Sequence, residues 1–333
     1  MYWVNKQESI ANINFALKEQ GTVFIPHPNF DTKSFFAKSY TRLSGENIIL
    51  FTSGTTGKPK GVILKAEKIK QSASVFVDWF NIERNSNLFS LAPIHTMSGI
   101  RTQIFIPQVS NCNVFTPKNN SNNIFDLIEQ FKQLKITHIV AGPPLVKQLS
   151  FLLKREPKIN LGEVKYILCT GSLLNTSDVQ TIWENKAIMV LNYYGLTETY
   201  GFCIAKSPDK FNPQCKSVGV AVPDVNISLE DRNTESIGKL VIESPRIFDG
   251  YYPNELASNK FNTGDLASIN NHGEVTLFGR FDNQITLNDT TKTYPELLAH
   301  ELSHILQTPV QIKPLTLGYK LSLVSQLSKQ HIY

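Results

Sequence analysis

Residues 52 to 61 read Thr52-Ser53-Gly54-Thr55-Thr56-Gly57-Lys58-Pro59-Lys60-Gly61, the densest concentration of binding chemistry in the chain. Glycines free the backbone to aim its N–H groups at one point, the hydroxyls of Thr52, Ser53, Thr55 and Thr56 add donors, and Lys58 and Lys60 add positive charge. These are the parts needed to wrap a polyphosphate. The GxxxxGK[ST] spacing of the Walker-type loop is absent, so the loop is of another kind. Further on, His300-Glu301-Leu302-Ser303-His304 is a literal HExxH on an expected helix, and histidines four apart share a face that could bind zinc. Past Leu302 that reading weakens: residues 305 to 333 hold no Asp or Glu, leaving only His331 as a third ligand. The basic run Lys58, Lys60, Lys65, Lys68 and Lys70 lacks the interleaved aromatic residues of a nucleic-acid platform. A nucleotide-facing pair followed by a solvated helix face accounts for it better.

Three later segments extend the pattern in order: Tyr193-Tyr194-Gly195-Leu196-Thr197-Glu198-Thr199, Asn262-Thr263-Gly264-Asp265 and Gly279-Arg280-Phe281-Asp282. With the glycine loop, they resemble the phosphate loop, adenine-and-metal motif, ribose aspartate and hinge of the AMP-forming acyl/aryl-CoA synthetases, luciferases and peptide-synthetase adenylation domains. Ser217-Val218-Gly219 and Asp249-Gly250-Tyr251-Tyr252 are weaker matches, and the likeness spans roughly residues 46 to 296.

The resemblance implies an adenylate-forming α/β fold: a large N-terminal α/β core with a small β subdomain, here residues 1–281, and a reduced C-terminal lobe, residues 282–333, beyond the hinge Asp282. It also implies an ATP-dependent activation of a carboxylic acid as its acyl-adenylate, followed by thioester formation with coenzyme A. Two anions must meet in such a reaction, so the site has to neutralise and align them rather than supply a nucleophile. Thr52, Ser53, Gly54, Thr55, Thr56, Gly57 and Lys60 would hold the phosphates. Tyr194 and Gly195 would border the adenine, Thr197 would donate to the α-phosphate, and Glu198 would help hold Mg²⁺. Asp265 would accept both ribose hydroxyls and Arg280 would reach the ribose or phosphate side.

For the acid pocket, Pro93-Ile94-His95-Thr96-Met97-Ser98-Gly99 is similar to the family's Pro-x-x-His segment. His95 is either a pocket residue or a hydrogen-bonded core histidine. Gly171 and Ser172, with Gly195, would line the same cavity, and their small size leaves room for a chain or ring. No aspartate stands there to receive an amino group, which argues against an amino acid substrate.

Departures from the family cluster at the two ends. The strand–loop unit is reached by Phe51, which implies a shortened N-terminal subdomain, and 51 residues follow Asp282. The family's late lysine has its nearest match in Pro314-Leu315-Thr316-Leu317-Gly318-Tyr319-Lys320, with the glycine and lysine displaced. Lys320 is therefore either the adenylation lysine or a surface lysine of an amphipathic tail. Thr286-Leu287-Asn288-Asp289 lacks the Lys and Gly expected after the hinge, which weakens the expectation of the rotation used for thioester formation. Two other readings stay open: transfer to the phosphopantetheine thiol of an acyl carrier protein, and a degenerate nucleotide-binding protein acting as a partner or regulator.

Elements able to position these residues can be read from the pattern. Asn47 to Phe51 is a buried strand running into the glycine loop, and Ala66 to Phe80 a helix with Ile69, Ala73, Phe76 and Phe80 on one face. Ile124–Leu134, a strand over 137–140, a helix from Pro143 to about Leu153, and strands over 164–168 and 188–191 continue an α/β alternation with a parallel sheet. It breaks near Asn212. From Ser217 to Leu277, short strands such as 225–229 and 238–242 predict a small antiparallel sheet or barrel, and a last helix over 294–306 precedes a short tail.

Composition is consistent with that enzyme class. The chain has 333 residues, 41% hydrophobic and 18% charged, which excludes global disorder and leaves a surface rich in neutral polar residues. A net charge of +5 suits a phosphate-bearing ligand without demanding nucleic acid. Cys112, Cys169, Cys203 and Cys215 are too scattered for a CxxC pair. With no signal-peptide pattern at the first residues and no long apolar run, the expectation is a cytoplasmic enzyme.

Overall fold

Strands that must be buried on both faces are apolar throughout, and the central sheet shows this directly. In the computed structural model, residues 2–3, 10–28, 43–53, 59–118, 123–256, 258–283, 285–287, 291–306, 310–315 and 318–323 are described. A seven-stranded sheet runs in the order Val220–Ala221, Ile204–Ala205, Met189–Tyr194, Tyr166–Cys169, His138–Ala141, Asn87–Ser90, Asn113–Phe115. The five strands from Met189–Tyr194 onward are parallel, and the two at the other edge are antiparallel. Ile139, Val140, Ile167 and Leu168 are each at most 1% exposed. Helices Ile124–Gln133, Pro143–Arg155 and Thr176–Lys186 supply the crossovers, Pro143 sitting in a first turn where its missing N–H costs nothing.

A second, six-stranded sheet begins with Tyr2–Trp3, Thr22–Ile25 and Asn47–Ser53 as parallel neighbours. Asn47–Ser53 then pairs antiparallel with Pro59–Lys65 over its whole length, from Asn47 opposite Lys65 to Ser53 opposite Pro59. The short hairpin Gly250–Tyr251/Asn254–Glu255 closes this sheet, with Tyr251 opposite Val62. Helix Ala66–Trp79 follows directly, and Ile69, Ala73, Phe76 and Phe80 are all fully buried, as their spacing requires.

The third sheet is antiparallel, in the order Asn226–Glu230, Gly238–Glu243, Lys260–Ile269, Val275–Arg280. Its last pairing sets Asp265 opposite Arg280. The strands of this sheet all lie after Asn212, where a small antiparallel sheet was expected, although antiparallel pairs also occur earlier, at Ile204–Ala205 and between Asn47–Ser53 and Pro59–Lys65.

Several elements differ from expectation. Helix Ile10–Gln20 and strand Thr22–Ile25 precede residues 47–51, the first element expected from the sequence. Met97–Ser110 is one irregular helical stretch: α-helical turns flank a π-wound middle over Arg101–Phe105, and Pro107 and Gly99 break its sequence signal. After helix Pro295–Ile305, the expected short tail instead contains a hairpin, Val310–Leu315 with Gly318–Leu323. Val, Ile and Leu alternating with polar residues there form a strand pattern that the tail reading passed over. All four cysteines are free, and no described helix is long and apolar enough to cross a membrane.

Candidate functional site

The two strands that frame the glycine loop end side by side, Thr52 opposite Lys60 and Ser53 opposite Pro59. Gly54, Thr55, Thr56, Gly57 and Lys58 lie outside the described residues. Thr52 and Lys60 are half-buried, and the Lys60 ammonium stands 4.9 Å from the centre of the Tyr251 ring, a cation–π contact. Tyr251 reaches further: its hydroxyl donates to Glu198 Oε1 at 3.0 Å. Burial and the Glu198 charge push the Tyr251 hydroxyl above its ordinary range, so it remains a donor at neutral pH. One tyrosine thus joins the base of the glycine loop to the carboxylate of the second motif.

Thr197 and Glu198 sit on a short helical turn, Thr197–Thr199, directly after strand Met189–Tyr194. Thr199 Oγ1 accepts the Leu196 N–H at 2.9 Å, and the Gly201 N–H returns to the Leu196 carbonyl at 2.8 Å. The Glu198 carbonyl accepts the Phe248 N–H at 2.9 Å. Gly195 packs against the far side of the turn: a Cβ there would meet Gly201 C at 2.3 Å and Phe202 N at 2.4 Å. Close backbone approach, rather than only an open cavity wall, is what this glycine provides.

Asp249 anchors the same region. It accepts the Tyr200 hydroxyl at 2.8 Å and the Lys68 ammonium at 3.1 Å, with Lys65 at 3.6 Å. Tyr200 Oη in turn accepts the Lys65 N–H at 3.0 Å. The expected solvated helix face of the basic run is corrected here: Lys65 and Lys68 pair with Asp249, and only Lys70 of that group is exposed on the helix.

Asp265 lies on strand Lys260–Ile269 with a side chain only 13% exposed. Arg280 Nη1 donates to its Oδ1 at 3.2 Å and to the Thr263 carbonyl at 2.7 Å. Tyr194 donates to Asp265 Oδ2 at 2.5 Å, which links the ribose-motif aspartate to the adenine-motif tyrosine. Burial, reinforced by the Asp265 charge, raises Tyr194 well above the usual phenol range. Asp265 thus receives a donor on each of its carboxylate oxygens, Arg280 on one and Tyr194 on the other.

Around the candidate acid pocket, His95 is half-buried and its ring meets His27 edge-on at 4.6 Å between centroids. Burial and the neighbouring His27 hold His95 down at about 4, so it is neutral at pH 7. His27, placed by the end of strand Thr22–Ile25, was missed because nothing local in the sequence marks it. Gly171 and Ser172 are exposed, and Gly171 has a φ of 103° with open space where a Cβ would stand. Asp282 is exposed in the turn Phe281–Asn283.

Lys320 lies on strand Gly318–Leu323, but its side chain, like those of His300 and His304, is outside the described residues, as is His331. Among the described residues no group of three or more His, Cys, Asp or Glu side chains could hold a metal. Glu198 offers one hard oxygen donor, which fits Mg²⁺, an ion usually held by one or two carboxylates with phosphate and water completing its shell.

Comparison with known proteins gives this geometry a family. The model of the AMP-binding enzyme family matches residues 31–252. A 2-succinylbenzoate–CoA ligase of Staphylococcus aureus is 28% identical over 237 residues, covering 70% of this chain and 46% of the relative. The chain therefore spans about half the length of the curated relatives it matches. Among solved structures, the O-succinylbenzoate coenzyme A synthetase of Bacillus subtilis in complex with AMP superposes with a TM-score of 0.73 at 19% identity, covering 98% of this chain and 74% of that one. An anthranilate CoA ligase in complex with anthranoyl-AMP gives 0.72 at 17% identity, covering 94% and 65%. The matched span takes in the glycine loop, the Thr197–Glu198 turn and Tyr251, three parts that the fold has brought into contact, and the chain belongs to the AMP-binding enzyme family.

Proposed function

We propose that this chain binds ATP with Mg²⁺ and activates a carboxylic acid as its acyl-adenylate, with coenzyme A as the thiol that accepts the acyl group. The observation carrying this reading is the Lys60–Tyr251–Glu198 connection, which brings a phosphate-loop cation and a hard carboxylate donor to one place. In the reaction, a carboxylate oxygen forms a bond to the α-phosphorus of ATP while the bond to the bridging oxygen of pyrophosphate breaks. Thr52, Ser53, Gly54, Thr55, Thr56, Gly57 and Lys60 are assigned to the phosphates, Thr197 to the α-phosphate and Glu198 to Mg²⁺, which when bound spreads the charge of the triphosphate. Asp265 takes the ribose, oriented by Arg280 and Tyr194.

A neutral His95 beside a carboxylate substrate supplies a donor without a fixed counter-charge, which suits an aryl or aliphatic acid. Every relative named above is a CoA ligase, which favours coenzyme A over a carrier-protein thiol. Lys320 and the hinge Asp282 are proposed to act in the two half-reactions.

ATP–pyrophosphate exchange across 2-succinylbenzoate, anthranilate and a series of fatty acids tests the reading. Exchange with at least one acid, followed by thiol consumption when coenzyme A is added, is the expected result. ATP binding with no exchange for any acid would overturn catalysis and leave the nucleotide-binding partner reading in its place.

A further inference from the structure

Arg101 is fully buried, and among the described residues no ion pair includes it. A guanidinium stripped of water without a carboxylate partner carries a desolvation penalty that other contacts must offset. Three ring faces recover part of that: Phe76 at 4.4 Å, Tyr193 at 5.4 Å and Phe202 at 5.6 Å. Its two terminal nitrogens then point at different parts of the site. Nη1 donates to the Tyr200 carbonyl at 3.2 Å, and Nη2 to the Tyr193 hydroxyl at 3.3 Å, while Nε has no partner.

The two acceptors belong to different substrate regions. Tyr200 closes the turn that carries Thr197 and Glu198 by donating its N–H to the Thr197 carbonyl, and it sits at a φ of 55°, a conformation that needs external support at its own carbonyl. Ser72 Oγ donates to the same carbonyl at 3.2 Å. The Tyr193 hydroxyl lies 2.8 Å from Ser98 Oγ, on the segment that carries His95. Arg101 itself begins the π-wound stretch that continues this segment. A methionine or leucine would fill the same volume without the desolvation cost, but could not hold two polar groups at fixed separation.

We propose that Arg101 is a positioning residue that couples the acid segment Pro93–Gly99 to the nucleotide turn 196–201 through its two terminal nitrogens. This inference rests on the proposed function above, since it assigns those two segments to the acid and to ATP. These contacts are already formed without nucleotide; nucleotide bound at the turn steadies the Tyr200 carbonyl further, and the fork passes that order to Tyr193 and Ser98 on the acid segment. Lysine cannot replace it, because one ammonium on a flexible stem does not span both acceptors in a fixed plane.

Hydrogen–deuterium exchange of the folded chain, with and without ATP and Mg²⁺, tests the coupling without knowledge of the acid. In the wild type, nucleotide should slow exchange both at 194–201 and at 93–100, the latter by about threefold or more. In Arg101→Met and Arg101→Lys, protection should remain at 194–201 and vanish at 93–100. If those variants do not fold, Tyr193→Phe, which deletes one oxygen, should give the same separation. A merely structural arginine would raise exchange in both segments alike, with or without nucleotide, and that result overturns the proposal. Wild-type binding without protection at 93–100 also overturns it while leaving the functional reading intact. No nucleotide binding by the wild type overturns the functional reading itself.

Discussion

Tyr251 Oη and Glu198 Oε1 are 3.0 Å apart across a sequence separation of 53 residues, and the tyrosine holds the carboxylate by one oxygen. In the proposed role the other oxygen would face Mg²⁺. Tyr251→Phe keeps the ring under Lys60 and deletes only the donor, so Glu198 loses its orientation but the loop keeps its cation–π contact. A hydrogen bond to a charged group is worth about 1.5–3 kcal/mol, so the Mg²⁺ dependence of ATP binding should weaken by about tenfold or more. Titration of a fluorescent ATP analogue at a series of Mg²⁺ concentrations measures it. Metal-free nucleotide binding should be unchanged, and a loss of equal size without Mg²⁺ would contradict the assignment.

Asp265→Asn tests the second cluster. The amide is the same shape but carries no charge, so Arg280 loses an ion pair and keeps the Thr263 carbonyl. An amide has one acceptor oxygen where the carboxylate uses two, so either Arg280 or Tyr194 faces its NH2 group and stability should fall by about 1 kcal/mol, whereas nucleotide affinity should fall by about tenfold or more, because the proposed ribose acceptor loses its charge. A melting temperature within a few degrees of wild type, together with weakened binding, is the expected pair of results. Comparable ATP and 2′,3′-dideoxy-ATP affinities in the variant, against a clear preference for ATP in wild type, would locate the loss at the ribose.

Local pattern carried much of this architecture. Ile69, Ala73, Phe76 and Phe80 declared a helix by spacing alone, and the apolar runs around Ile139 and Ile167 declared buried strands. The motif residues Glu198, Asp265 and Arg280 were singled out for a similar reason: each belongs to a short segment whose residue types and order resemble a family motif. Their partners were not. Tyr200 meets Asp249 over 49 residues and Lys65 over 135, and Arg101 meets Tyr200 over 99. Such pairs exist only because two sheets and one irregular helix bring them together. Asp249-Gly250-Tyr251-Tyr252 did stand out as a weak match, a signal that could have led to both Asp249 and Tyr251. The stretch Met97–Ser110 hid behind Gly99, Pro107 and its π-wound middle, which spoil a 3.6-residue period.

Histidine burial sets an acid-side stability slope. His138 is 3% exposed, stacked on Tyr166 at 4.8 Å, and burial holds it down at about 4, against 6.5 for a free imidazole. Lys165 opposes its charge further, while the Phe80 carbonyl at 3.3 Å favours it. The folded-state pKa lies below the unfolded one, so from about pH 6.5 downward the unfolded chain takes up a proton that the folded chain refuses. Stability is fully present above 6.5, falls between 6.5 and 4, and this contribution is gone below 4; by linkage it is worth about 3 kcal/mol. His95 adds in the same direction, discounted because it is half-exposed. Urea midpoints should be nearly level between pH 7.5 and 6.5 and fall through 5.5 and 5, and His138→Gln should flatten that fall. An unchanged slope in a folded variant would exclude His138 as its source.

Gly195 makes the sharpest steric test of the turn Thr197–Thr199. A methyl group there would stand 2.3 Å from Gly201 C and 2.4 Å from Phe202 N, both backbone atoms that cannot rotate away. Gly195→Ala must therefore displace either strand Met189–Tyr194 or the turn bearing Thr197 and Glu198. The cost should be about 2–4 kcal/mol in urea unfolding, the range of overpacking combined with backbone strain. Gly171→Ala is the matched control: its φ of 103° penalises a side chain, but nothing lies within 4 Å of the new methyl, so about 1 kcal/mol is expected. ATP affinity should drop in Gly195→Ala even at temperatures where the protein is folded, because the displaced turn no longer presents Glu198 beneath Tyr251. Equal stability losses in the two variants, with ATP affinity retained in both, would mean that the turn can move without consequence for the nucleotide.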